Sequence, residues 1–170
     1  IRLALRNMGF CLNHKTIQRL MGVLMLKAIG PKKRYRSYRG EVGRVAANTL
    51  SRNFKAQAPH QKWVTDVTEF NLRGEKIYLS PVLDLYNQEI VAYQIEQRPQ
   101  FGLVMKMLDK AIKQLKPEDR PLLHSDQGWH YQMAGYQNVL KDHGIQQSMS
   151  RKGNCLDNAV MENFFGILKK

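Results

Sequence analysis

The strongest constraint on how this chain can fold is the stretch from residue 62 to residue 96. "KWVTDVTEFNL", "KIYLSPVLDLY" and "EIVAYQIE" are three β-rich, alternating runs joined by short polar links. Links this short cannot hold a crossover helix, so the three runs must form an antiparallel meander. Beyond them the period changes. "FGLVMKMLDKAIKQL" sets Leu103, Met107 and Leu108, then Ala111 and Leu115, at helical spacing. A strand "PLLHSD", a helix around "AGYQNVLKDHG", a short strand "IQQSMS" and a final helix "CLDNAVMENFFGILKK" complete the order β-β-β-α-β-α-β-α. That order predicts an α/β fold: a mixed five-stranded sheet with helices packed on its faces.

The segment before the sheet is of another kind. Residues 1–60 carry 13 Lys/Arg against the single acid Glu41, whereas residues 61–170 are nearly neutral, with 14 Lys/Arg against 13 Asp/Glu. Residues 1–30 predict a small helical segment. Ile17, Leu20, Met21 and Leu24 share one helix face, Asn13 can cap it and Gly30-Pro31 can stop it. A shorter helix ending near Gly9 gives the outline of a helix-turn-helix, which a plain helical hairpin shares. Residues 31–60 are expected to be a basic linker. In it Lys32, Lys33, Arg34 and Arg36, interleaved with Tyr35 and Tyr38, are candidate contacts to nucleic acid. No apolar run is long enough to span a bilayer, and nothing at the start has the pattern of a signal peptide, so a cytoplasmic location is expected. Cys11 and Cys155 have no metal-binding spacing and are expected to be reduced. The chain begins with Ile and stops in mid-helix without a stop signal, so a truncated C-terminus is expected.

Three carboxylates carry the chemistry. Asp66 lies inside the first strand among Trp63, Val64, Val67 and Phe70, where an ionised group is costly without a positive partner. Asp126 ends the fourth strand. Glu162 lies on the last helix, whose buried stripe is expected to be Val160, Phe164 and Leu168. The first and fourth strands can be neighbours, which brings the two aspartates together, and the closing helix can add Glu162. Three carboxylates at one point coexist only around a cation, and oxygen ligands select Mg²⁺ or Mn²⁺.

The quoted segments "WVTDVTEF", "LLHSDQGWHY" and "QSMSRKGNCLDNAVMENFFGILK" are similar to the integrase-like transposases of two-reading-frame bacterial insertion sequences, within the retroviral-integrase superfamily. The 35 residues between Asp126 and Glu162 match the D, D-35-E spacing of that superfamily. The resemblance implies an RNase H-like fold with Asp66, Asp126 and Glu162 as the catalytic, metal-binding triad for two Mg²⁺ ions, which Mn²⁺ can replace. It implies cleavage and joining of DNA, both element ends and target, by a homo-oligomer associated with the nucleoid.

Secondary candidates follow from position. Arg151 and Lys152, in "SRKGN", can grip phosphates beside the metals, with Gly153 allowing close backbone approach. Asn158 lies one turn before Glu162 and can orient that carboxylate, touch DNA, or face water. His124 and Asp84 are expected to be structural. The rival to an active enzyme is a truncated, silent remnant that only binds DNA.

Overall fold

The computed structural model describes residues 1–26 and 43–169. It divides into two compact units, Ile1–Ser37 and Tyr38–Lys170. In the first, helix α1 (Arg2–Asn7) and helix α2 (His14–Val23) are joined by a turn through Gly9, whose φ of +88° suits glycine. Asn13 caps α2 as expected, its side-chain oxygen accepting from the Lys15 N–H at 3.1 Å. Of the expected apolar face, Ile17 is buried whereas Leu20 and Leu24 are exposed. The proposed stop at Gly30-Pro31 and the candidates Lys32, Lys33, Arg34 and Arg36 lie outside the described residues.

The second unit is built on one mixed sheet. Its strands are β1 (Lys62–Thr65), β2 (Thr68–Leu72), β3 (Glu75–Asp84), β4 (Ile90–Glu96), β5 (Leu122–Ser125) and β6 (Gln146–Met149). The sheet order is β2-β3-β1-β5-β6, with β4 on the other side of β3. The meander is antiparallel and β1, β5 and β6 run parallel to one another. Helices α3 (Phe101–Ile112), α4 (Trp129–Gln132), α5 (Ala134–Asp142) and α6 (Ala159–Leu168) complete the expected order. Strand alternation divides the core in two. Trp63, Val82 and Leu123 face the cluster built with α3 and α5, while Val64 and Leu83 face the cluster of Leu50, Met161 and Phe165.

Six strands stand where five were expected, because the first is interrupted at Asp66 and Val67. The register does not shift across the break: Thr65 faces Val82 and Thr68 faces Leu79. The residue opposite Asp66 is therefore Pro81. The Leu85 N–H donates to the Lys62 carbonyl, so counting back by twos points the N–H side of residue 81 at this strand. Proline has no N–H to give, and the ladder opens there. The Thr65 hydroxyl donates to the Pro81 carbonyl at 2.7 Å instead.

Two further expectations are corrected. Residues 43–60, assigned to a basic linker, form a strap on the core. The Leu50 N–H donates to Ser148 Oγ, the Met149 N–H donates to the Ala47 carbonyl, and Leu50 is buried with Phe54 and Ala56 packed beside it. The last helix does not run unbroken from Cys155. A 3-10 turn (Cys155–Asn158) precedes α6. The buried stripe of α6 is Met161 and Phe165, with Val160 and Phe164 partly buried and Leu168 exposed.

Candidate active site

The parallel pairing of β1 with β5 sets Val64 against His124. Two residues further along each strand come Asp66 and Asp126, each just past the end of its strand. Equal register places them side by side, since neighbouring strands lie ~4.8 Å apart. Alternation from Val64 puts Asp66 on the face covered by α6. Each aspartate holds the first turn after its strand: Asp66 Oδ1 accepts from the Val67 N–H and Asp126 Oδ1 from the Gly128 N–H, both at 2.7 Å. A Cβ on Gly128 would come within 2.8 Å of Asp126 Oδ1, so the turn requires glycine there. Asp126 thus ends its strand and sets a carboxylate beside the strand end that carries Asp66.

Burial is the main reason that the Asp66 carboxyl is pushed up to about 7, and the charge of Asp126 adds to it. The Val67 N–H opposes the rise, Glu162 adds to it and Lys169 opposes it. Asp126 is also raised by burial, against the Gly128 N–H and the nearby His130. Two half-buried carboxylates, both with raised proton affinity, suit a hard divalent cation, which would replace the protons they otherwise need. Glu162 is exposed in the first turn of α6, at the rim of this pair. Among the described residues, no three Asp, Glu, His or Cys side chains close around one point as metal ligands.

The secondary candidates separate. Arg151 is exposed but tied to a buried acid: its backbone N–H and its guanidinium all donate to Asp157. Lys152 is exposed beside Gly153, whose φ is +71°. Asn158 is buried, and neither atom of its amide has a hydrogen-bond partner among the described residues. His124 is fully buried in a hydrogen-bonded chain. The Leu50 N–H donates to Ser148 Oγ, which lies 2.8 Å from His124 Nδ1, while Nε2 faces Ser150 Oγ at 3.1 Å. Burial holds this imidazole down, at about 4.

Lys169 was not among the residues expected from the sequence. It caps α6 two turns beyond Glu162, its ammonium lies 5.3 Å from the centre of the Phe70 ring, and its charge reaches Asp66. The seven-residue interval to Glu162 was the available signal, since it keeps both on one helix face.

The sequence matches the integrase core domain family over residues 56–155, a span that includes both aspartates. The chain belongs to the integrase core family. This integrase core is 61% identical to an Escherichia coli relative named as transposase InsK of insertion sequence element IS150, over 99% of this chain and 60% of the relative. It is 54% identical to an uncharacterized transposase-like protein of Haemophilus influenzae, over 93% of this chain and 73% of that one. The integrase core therefore spans about 60% of the length of its Escherichia coli relative. Among solved structures, the HTLV-2 integrase catalytic core domain in complex with magnesium superimposes with a TM-score of 0.54. That match has 19% identity and covers 67% of this chain and 70% of the other. The RNase H-like fold expected from the sequence is thereby matched. No helix among the described residues is long and apolar enough to cross a membrane.

Proposed function

We propose that this chain carries the catalytic part of an insertion-sequence transposase, cutting DNA at element ends and joining it to target DNA. The observation that carries the reading is the in-register pair Asp66 and Asp126 at the ends of adjacent parallel strands, each with a raised carboxyl. The magnesium complex of the HTLV-2 integrase core supports a metal-dependent reaction. Asp66, Asp126 and Glu162 would together hold the two divalent ions. When bound, Mg²⁺, or Mn²⁺ in its place, stabilises negative charge on the attacking and leaving oxygens of an in-line phosphoryl displacement.

The chain's own part is to orient. Equal register fixes the spacing of the aspartates, and the local turn bonds fix their rotamers. Lys152 and the outer edge of the Arg151 guanidinium grip phosphates, as do Lys32, Lys33, Arg34 and Arg36. The buried, unpaired amide of Asn158 lies one turn before Glu162, where it can orient that carboxylate. Water is the nucleophile in cleavage and a DNA 3′-hydroxyl in joining, so no tyrosine needs to bond to DNA. The working form is a homo-oligomer on DNA, in the cytoplasm and at the nucleoid.

The test is an assay of nicking and strand transfer on element-end DNA with Mg²⁺, using Asp66→Asn, Asp126→Asn and Glu162→Gln. Each variant is expected to lose at least ~10³-fold in rate while keeping its affinity for DNA. Substantial activity in any of them removes that residue from the site. A parent chain that binds DNA but never cuts it is the silent remnant.

A further inference from the structure

Asp157 lies in the 3-10 turn just before α6 and is fully buried. Five donors converge on its carboxylate. Oδ1 accepts from Arg52 Nε at 2.8 Å and Arg151 Nη2 at 2.9 Å; Oδ2 accepts from Asn48 Nδ2, the Arg151 N–H and Arg151 Nε at 2.9–3.0 Å. The bonds from Arg151, followed by that from Arg52, hold this carboxyl far below the usual carboxylate range. Arg52 also donates from Nη2 to Asn154 Oδ1 at 2.8 Å, so one guanidinium ties two points of the segment that leads into α6.

The strap is built for this grip. Ser51 and Arg52 both have positive φ, +46° and +61°, a conformation that L-amino acids rarely adopt. Such strain persists where the surroundings fix it, and here they do. Asn48 Oδ1 accepts from the Ser51 N–H, and Leu50 is buried in the cluster that holds Met161 and Phe165 of α6. Polar and apolar strap residues therefore hold the two ends of one element, the 3-10 turn and the helix after it. Glu162 follows Asp157 by five residues and Met161 by one.

We infer that Asp157, clasped by Arg52 and Arg151, positions the helix that presents Glu162, and that the strap is therefore part of the catalytic apparatus. Arg52 and Asp157 are positioning residues: neither touches a reacting atom. The inference rests on the reading of Glu162 as a metal ligand. It also separates Arg52 from the general basic charge of the N-terminal region. A phosphate contact needs only a positive charge, whereas the clasp needs a planar fork that reaches Asp157 and Asn154 together, which lysine lacks.

The experiment uses the 170-residue chain with Arg52→Ala and Arg52→Lys, each made alone and in a Glu162→Gln background. Mn²⁺ affinity is measured by the EPR signal of the free ion, and amide hydrogen exchange is followed across residues 159–168. Both Arg52 variants should weaken Mn²⁺ binding by about tenfold or more, as loss of groups that orient a ligand does. They should also speed exchange in α6 and weaken Mn²⁺ binding no further once Glu162 is Gln. An Arg52→Lys chain with parental Mn²⁺ affinity and parental exchange overturns the inference, as does equal weakening with and without Glu162. If Glu162→Gln leaves Mn²⁺ affinity unchanged, it is the assignment of Glu162 as a ligand that fails. Exchange then decides the clasp: faster in both Arg52 variants supports it, unchanged in both overturns it. Should Arg52→Ala fail to fold, Arg52→Lys decides alone.

Discussion

Asp66 and Asp126 stand at the same register position on two parallel neighbours, each one residue beyond its strand. Without a cation the pair repels, so the site is bought with fold stability. Asp126→Asn should make the metal-free chain more stable at pH 8, by on the order of 1 kcal/mol or about 2–4 °C, while abolishing strand transfer. Thermal unfolding in EDTA checks this. An unchanged or lower midpoint would mean that the two carboxylates do not repel.

Metal affinity should depend on pH through Asp66. Its folded value, about 7, lies above the ordinary 3.8, so its contribution to stability is full below about 4 and is lost as pH rises through 7. The metal requires the ionised form. Apparent Mg²⁺ affinity should therefore climb by up to ~10-fold per pH unit below 7 and level off above it. Calorimetry in buffers of different protonation heat should find about one proton released per binding event at pH 6 and far fewer at pH 8. Affinity that is flat from pH 5.5 to 7.5 would show Asp66 already ionised.

His124 works in the opposite sense. Its folded value, about 4, lies below the ordinary 6.5, so the unfolded chain takes up the proton first and stability falls as pH drops from 6.5 to 4. In an Asp66→Asn background, where the opposing aspartate is gone, urea midpoints should drop between pH 7 and 4.5. His124→Gln should reduce that drop. Ser148→Ala should cost about 1–3 kcal/mol at neutral pH, because it strips partners from both the Leu50 N–H and His124 Nδ1.

Deleting residues 1–37, with their nine Lys/Arg, should weaken DNA binding and flatten the plot of log affinity against log salt, by ~0.9 for each phosphate that is no longer neutralised. The thermal midpoint of the core should hardly move. Deletion through residue 55 should lower it sharply, since Leu50 and Arg52 go with the strap. An unaltered salt slope in the shorter deletion would make residues 1–37 a merely solvated surface.

Much of this was legible in the sequence. The order of elements follows from local period and short links, and that order allowed β1 and β5 to be neighbours and the two aspartates to meet. The break at Asp66 was not legible, because it depends on Pro81 lying opposite, and register is a property of two segments at once. In the strap, density of positive charge hid a set of apolar residues, Ala46, Leu50, Phe54 and Ala56, with the polar Asn48 and Arg52 at the intervening even positions. On α6 nearly every face is apolar, so periodicity could not choose Met161 and Phe165 over Val160, Phe164 and Leu168. Asp157 gave no signal, since the donors that tie it to the strap, Arg52 and Asn48, lie 105 and 109 residues away.

That separation also sets a timetable. Leu50 and Arg52 emerge from the ribosome early, and their partners Ser148 and Asp157 are 98 and 105 residues behind. At ~5–20 residues per second, the strap waits roughly 5–20 s for something to hold. Until then the paired aspartates can form, because β1 and β5 are already made, but Glu162 has no fixed place. Of the three carboxylates, Glu162 is therefore the last that the growing chain can fix in place.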